Sequence, residues 1–173
     1  MNDDPLVQFY KGNATDNRGR YLDEILAWDD DELEYTHDYI QWLFPITTVG
    51  VNPDAPPANA ATIEAFCNDP LLRAALLRSL DRMLAFYGLQ RTGDEIAPRA
   101  DFESHRQWLT AGNHNHLRLT RIMKSLRLFG LDADARELHA SLIRIAETEQ
   151  LAGRRSISAD TIRFWNDAVS PGG

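Results

Sequence analysis

The 173-residue sequence has one cysteine, Cys67, and only two lysines, Lys11 and Lys124. A single thiol excludes an internal disulfide framework and fits a reducing cytosol. No uncharged apolar run is long enough to cross a bilayer. The best stretch without a charge, Tyr39 to Pro53, is interrupted by Pro45 and Gly50, so no transmembrane segment is expected. The opening Met-Asn-Asp-Asp-Pro has neither the basic nor the apolar region of a signal peptide, and a cytoplasmic location is expected. Motifs that carry a mechanism are also missing. There is no phosphate-cradling glycine loop, no cysteine pair at zinc spacing, no His-Glu-x-x-His and no Gly-x-Ser-x-Gly. Their absence weighs against an enzyme, and no cofactor is implied.

What is present is an ordinary globular composition, 43% hydrophobic and 25% charged, with a mean hydropathy of −0.40. The chain is long enough to build a core without metals or cross-links. The net charge of −8 is unevenly placed. Residues 1–45 hold eleven acids against three bases, Lys11, Arg18 and Arg20, whereas residues 46–173 balance. An acidic chain is a poor general binder of nucleic acid, because phosphate affinity needs a basic surface. Sixteen of the eighteen bases are arginine, a coding bias that suggests a GC-rich bacterial source.

Hydrophobic spacing predicts helices nearly throughout. Short helices are expected at 20–28 and 61–67, and a longer one at 32–43, entered through Asp29–Asp31 and stopped before Pro45. Asp69-Pro70 opens a helix that Gly88 closes, and Asn113 opens one that Gly130 closes. Asp132 and Ser158 are caps for helices running to about Gln150 and to Val169, and a short helix is expected near 101–109. Pro53, Pro56 and Pro57 make 46–59 a long extended loop, and 89–100 reads as a polar loop. Strand signals are nearly absent. The expected fold is all-α, a single domain over 1–173 with roughly six to eight helices. Leu72, Leu76, Leu80, Met83, Leu119, Ile122 and Leu126 are expected in one core.

Four clusters are candidates for function. Asp29 to Glu32 could hold a hard cation, or could cap a helix and face solvent. Asn113-His114-Asn115-His116 could supply metal or acid–base groups, or could cap and pack the start of a helix. The following helix carries Arg118, Arg121, Lys124 and Arg127 with no acid between His114 and Leu131. That basic row suits an anionic ligand, or pairs with the acid-rich first quarter of the chain. Tyr35, Tyr39 and Trp42 share a helical face beside His37, as core or as the border of a groove. Cys67 is expected to pack as a small hydrophobe.

Three motifs carry a resemblance. Phe9-Tyr10 and Asp16-x-x-Gly19-Arg20 lead into Leu33-Glu34-Tyr35 and then His37-Asp38-Tyr39-Ile40-Gln41-Trp42-Leu43-Phe44-Pro45. Met83 to Gly88 follows, and then His116 to Leu126. In this order, over residues 8–131, they resemble the conserved domain of the opioid growth factor receptor family. The resemblance implies a receptor-like module. Animal members are receptors for the peptide Met-enkephalin, are associated with nuclear and perinuclear membranes, and inhibit proliferation. It implies no catalytic residues. The expected ligand is a peptide or small anion. Its binding residues are expected to be His37, Asp38, Tyr39, Trp42, His114, His116, Arg118, Arg121 and Lys124. The alternative is an enzyme in which His37, Asp38, His114 and His116 converge.

Overall fold

Nine α-helices, one 3-10 helix and one β-hairpin make up the described residues, 3–50 and 52–172, of the computed structural model. In chain order they are α1 (Pro5–Tyr10), α2 (Leu22–Leu26), α3 (Asp30–Tyr35), α4 (Ile40–Leu43), α5 (Ala60–Asn68) and α6 (Pro70–Phe86). The hairpin β1 (Leu89–Thr92) and β2 (Glu95–Pro98) comes next, then the 3-10 helix (Phe102–Trp108), α7 (Asn115–Leu128), α8 (Asp132–Leu151) and α9 (Ala159–Val169). The mostly helical class is as the sequence predicts. Two compact units are formed, one by Met1–Arg82 with Leu128–Gly130, the other by Met83–Arg127 with Leu131–Gly173.

In the first unit, Asp4 caps α1 by accepting from the amides of Leu6 and Val7 at 2.9 and 3.1 Å, with Pro5 in the first turn. Its second oxygen takes the Thr62 hydroxyl at 2.6 Å, which ties the start of α1 to the start of α5. The apolar patch Leu6–Tyr10 is therefore a helix in its own right, and this raises the helix count above the expected range. Around it lie Phe9 and Trp42, with ring centroids 5.3 Å apart, Tyr10 and Phe66 at 5.1 Å, and the stacked pair Phe66 and Phe129 at 4.4 Å. Leu72, Leu76 and Leu80 from α6 are buried in this unit. Asp69 opens α6 by accepting from the Leu71 amide at 2.9 Å. The 46–59 loop is held in place, since Asn52, Ala55 and Ala58 are buried and the Ala58 amide donates to the Ile46 carbonyl at 2.8 Å. Cys67 departs from expectation. It is exposed, its sulfur 3.9 Å from the Leu128 carbonyl, because it sits on the outer side of the last turn of α5.

The expected helix 32–43 is two helices. Asp29 and Glu32 form a capping box that starts α3, so these acids cap as one of the two readings required. Thr36 is then extended, at φ −94° and ψ 128°, and helix resumes only at Ile40. The break takes Tyr35 off the face of Tyr39 and Trp42. Tyr35 is 78% exposed, while Tyr39 and Trp42 are buried, so the three do not form one stripe.

In the second unit, Met83, Leu119, Ile122 and Leu126 are buried with Trp108, Leu138, Leu142 and Trp165. The stretch predicted as a polar loop is the antiparallel hairpin, with Leu89 opposite Pro98 and Thr92 opposite Glu95. Its two-residue turn, Gly93-Asp94, has Gly93 at φ 59°, the conformation that a tight hairpin asks of its first turn residue. Four-residue strands with mixed side chains give too little alternation to be read from sequence. Gly88, at φ 74°, lets the chain turn beneath the 3-10 helix. A Cβ there would lie 2.8 Å from that of His105.

Candidate functional site

The break between α3 and α4 has a visible cause in the first unit. Asp16 is buried and accepts from the amides of Arg18 and Arg20 at 2.8 and 3.0 Å and from Arg20 Nε at 2.8 Å. The other end of the Arg20 guanidinium reaches Asp38 at 2.9 Å, and Arg18 Nε reaches the second oxygen of Asp38 at 3.0 Å. Asn52 donates to the Asp38 carbonyl at 2.9 Å, and the Trp42 indole donates to Asn17 at 2.7 Å. Arg20 also lies over the Trp28 ring, 5.2 Å from its centroid. Two motif segments, Asp16–Arg20 and His37–Pro45, are clasped together by these bonds. A continuous helix would carry Asp38 away from both arginines.

The clasp sets its own charges. Burial pushes the Asp38 carboxyl up, but the Arg20 bonds and charge, with Arg18, outweigh it and hold the group below its ordinary value. Burial works against Arg20 as well, and Asp16 and Asp38 more than reverse it. Asp38 is thus a fixed carboxylate with both oxygens engaged, unsuited to exchanging a proton near neutrality. Tyr39 is fully buried and its hydroxyl donates to the Leu33 carbonyl at 2.9 Å. Of this group, His37 is exposed and Asp38 half-exposed.

In the second unit the Asn113–His116 cluster divides. Asn113 accepts from the Asn115 amide at 2.9 Å and so opens α7. His114 is exposed, while Asn115 and His116 are buried. The His116 ring stands edge-on between two indoles, 6.3 Å from Trp108 and 5.8 Å from Trp165. Its Nε2 lies 2.9 Å from the Trp108 carbonyl, which fixes Nε2–H as the donor and leaves Nδ1 toward Thr161 Oγ1 at 3.5 Å. The Trp165 indole donates to the His116 carbonyl at 3.2 Å, and the Trp108 indole donates to the Tyr87 carbonyl at 3.1 Å. Burial pulls the imidazole below its ordinary pKa and outweighs the Trp108 carbonyl, so the ring is neutral at physiological pH. Neutral, doubly engaged and boxed by indoles, His116 joins α7, α9 and the 3-10 helix.

The basic row on α7 is also divided. Arg118 is buried and donates to Asn115 Oδ1 at 3.3 Å. Arg121 is half-buried, and loss of solvent lowers its guanidinium to about 10. Arg127 takes Asp132 at 2.8 Å and the carbonyls of Ala168 and Ser170 at 3.1 and 2.7 Å, so its carboxylate partner comes from α8. Lys124 is exposed. Among the described residues no group of three His, Cys, Asp or Glu side chains is placed to hold a metal ion.

Two hollows open beside this cluster. The smaller, about 200 Å³, is lined by His114, His116, Leu117, Thr120, Thr161 and Phe164, among others. The larger is a groove of about 730 Å³ between α8, the segment 152–158 and the start of α9. That is the size of a small-ligand pocket. Ile143, Ala146, Ile157 and Ile162 give it an apolar lining, and Glu147, Glu149, Arg154 and Arg155 bring charge of both signs. Ser158 lines both hollows. Under the groove wall, Glu149 is 1% exposed and accepts from Arg106 at 2.6 Å, from Arg154 at 2.7 and 3.0 Å, and from Ser156 at 2.6 Å. The Arg154 bonds, with those from Ser156 and Arg106, outweigh burial and hold the Glu149 carboxyl down to about 2. None of these groove residues stands out in the sequence. Glu149 lies two residues from the exposed Glu147 on the same helix, and only folding tells them apart.

Comparison with known proteins places these residues in a wider context. The opioid growth factor receptor conserved region matches residues 2–170, which extends the likeness past residue 131, where the motifs end. The chain is similar to the opioid growth factor receptor of Mus musculus, 37% identical over 172 residues, covering 94% of this chain and 26% of that protein. The Homo sapiens receptor is 36% identical over 159 residues, covering 88% of this chain and 23% of that protein. Opioid growth factor receptor-like protein 1 of Mus musculus is 34% identical over 140 residues, covering 77% and 30%. The chain therefore spans less than a third of the length of these relatives. No solved structure matches it.

Proposed function

Because the chain belongs to the opioid growth factor receptor family, on the match over residues 2–170, we propose that it is a ligand-binding module rather than an enzyme. Its ligand in this reading is a peptide or small anion held in the second unit. The observation that carries the reading is the groove of about 730 Å³, with an apolar lining and two arginines beside Glu147 and the Arg154-paired Glu149. Apolar lining supplies affinity for side chains, and a guanidinium fork orients a carboxylate. Arg155 is exposed and has no ion pair among the described residues, so it is open to an incoming anion. The shared Ser158 lets an extended ligand run from the groove into the hollow at His114.

The expected binding residues sort accordingly. His114, exposed just before α7 and lining the smaller hollow, is the ligand contact in this reading, and the exposed Lys124 and half-buried Arg121 add positive charge to the same helix. Tyr39, Trp42, His116 and Arg118 act by holding the fold, and His37 and Asp38 belong to the clasped segment of the first unit. A bacterial, cytoplasmic setting is part of the proposal. In support of the non-enzymatic reading, Asp38 and His116 are both engaged in fixed bonds, and neither offers a free acid or base.

The test is calorimetric titration of the full chain with Met-enkephalin, the peptide the family resemblance implies, beside a scrambled peptide of the same composition. The expected result is saturable binding that Arg155→Glu weakens at least tenfold and His114→Ala about threefold. Binding that survives Arg155→Glu unchanged would remove the groove from the reading. Equal binding of both peptides, or of neither, would remove the peptide.

A further inference from the structure

We propose that residues 152–158 are a hinged strap forming one wall of the α8–α9 groove, latched shut by the single carboxylate of Glu149. This rests on the reading of the groove as the ligand site, and it concerns how that site opens.

The strap has little apolar packing to hold it. Ala152, Gly153, Arg154, Arg155 and Ser158 are exposed, Ile157 is half-buried, and Ser156 alone is buried. Its backbone is tied to α8 only near its start, where the amides of Gly153 and Arg154 donate to the carbonyls of Gln150 and Glu149 at 3.0 and 2.9 Å. At its far end Ser158 accepts from the Thr161 amide at 3.1 Å and so belongs to α9. Between these ends the fixed contacts converge on one group. Glu149 takes Arg154 twice and Ser156 once from the strap, and it is itself held by Arg106 of the 3-10 helix, whose bond falls on an oxygen that Arg154 also uses. Gly153, at φ 73°, has open space around it, which suits a pivot.

These are the properties of a segment that opens locally at lower cost than the whole unit. Latched, Arg154 and Ile157 face the groove as its wall. Released, the strap swings about Gly153 and exposes the apolar floor of Ile143 and Ile162. An anionic ligand in the groove competes with Glu149 for Arg154, so occupancy and unlatching favour one another.

Hydrogen exchange on the ligand-free full chain tests the latch independently of any binding result. Glu149→Gln keeps the size of the side chain and removes its charge. The expected result is at least tenfold faster exchange at the amides of Gly153 and Arg154, with the α7 amides from Leu119 to Leu126 unchanged. An apolar dye, anilinonaphthalene sulfonate, should bind Glu149→Gln at least threefold more tightly than the parent chain. Ser156→Ala, a milder change, should accelerate the same two amides about threefold and serves if Glu149→Gln does not fold. Unchanged strap exchange in Ser156→Ala overturns the latch. So does acceleration that reaches Leu119–Leu126 equally, which marks a general loss of stability. Faster strap exchange without tighter dye binding overturns the gate. Failure of peptide titration, with these results in place, would fault the ligand and leave the strap standing.

Discussion

Each unit of this protein contains a knot of carboxylates and arginines, and the two knots differ in what they stand beside. In the first unit two carboxylates, Asp16 and Asp38, share Arg20, and Arg18 completes the set. Charge balances, and the knot closes two loop segments on each other. In the second unit one buried carboxylate, Glu149, faces both Arg106 and Arg154. Glu103 also meets Arg106, at 3.5 Å, so charge balances here too, but Arg154 lies in the wall of a groove. The first knot contains the most recognisable motif residues and serves the fold. The second contains residues no motif marks and stands beside the groove. Recognisability in the sequence therefore follows architectural demand here, and the candidate binding surface is built from commoner residues.

The largest effects should be the same in both units. Trp42 and Trp165 are each buried, and each indole donates one hydrogen bond, to Asn17 and to the His116 carbonyl. Replacing either with alanine should destabilise the chain by about 3–5 kcal/mol. Chemical denaturation monitored by circular dichroism measures this. An unchanged midpoint for Trp42→Ala with lost ligand binding would make Trp42 a groove residue and break the comparison.

The knots themselves should differ next. Arg20→Ala strands Asp16, whose side chain has no exposed surface, with only backbone donors, and should cost about 3 kcal/mol. Lysine should not rescue it, because the two-pronged reach to Asp16 and Asp38 needs the planar fork. Arg154→Ala leaves Glu149 its bonds to Arg106 and Ser156, and Arg154 is 48% exposed. Its cost should be about 1 kcal/mol. Equal losses at the two sites would mean that the burial of the arginine, 19% exposed at Arg20 against 48% at Arg154, is not what separates them.

Mild acid should reach the second unit first. The His116 pKa is lowered on folding, so its contribution is complete above the unfolded value near 6.5 and is lost as pH falls below it. The Asp38 pKa is lowered too, but from 3.8, so the clasp weakens only as pH falls below about that value. Stability measured from pH 7 to 5 should fall with a slope that His116→Gln makes shallower. A slope unaffected by that change would mean that the imidazole is not what acid attacks first.

How much of this was legible depends on how local the signal is. The caps Asp69, Asn113 and Ser158 and the 3.6-residue periodicity of α6 and α7 are local, and the structure places those helices as predicted. The break at Thr36 is not local. Thr36 has no helix-breaking neighbour, and the break depends on Arg18 and Arg20 reaching Asp38 from about twenty residues away. The site follows the same rule. His114 and Lys124 were legible as part of a basic, polar helix, whereas Glu149 draws its role from Arg106, 43 positions earlier, and so has no sequence signature.

The smallest expected effect sharpens the contrast between knots and ordinary pairs. Arg78 meets Asp23 at 2.6 Å, as short a contact as Arg106 makes with Glu149. Distance alone would rank the two equally. Arg78 and Asp23 are 58% and 77% exposed, however, while the Glu149 side chain is 2% exposed. In water the attraction is screened, both side chains lose rotamer freedom, and the net gain is about 0–1 kcal/mol. Arg78→Ala should therefore shift stability by less than about 1 kcal/mol, and raising salt should erase even that. Arg106→Ala should cost about 1 kcal/mol and persist in salt, because Glu149, although it keeps Arg154 and Ser156, is a buried carboxylate losing a partner that water cannot replace. Denaturation of both variants at low and high ionic strength makes the measurement. Equal, salt-sensitive losses would mean that Glu149 is solvated in solution, and the closed latch would go with it.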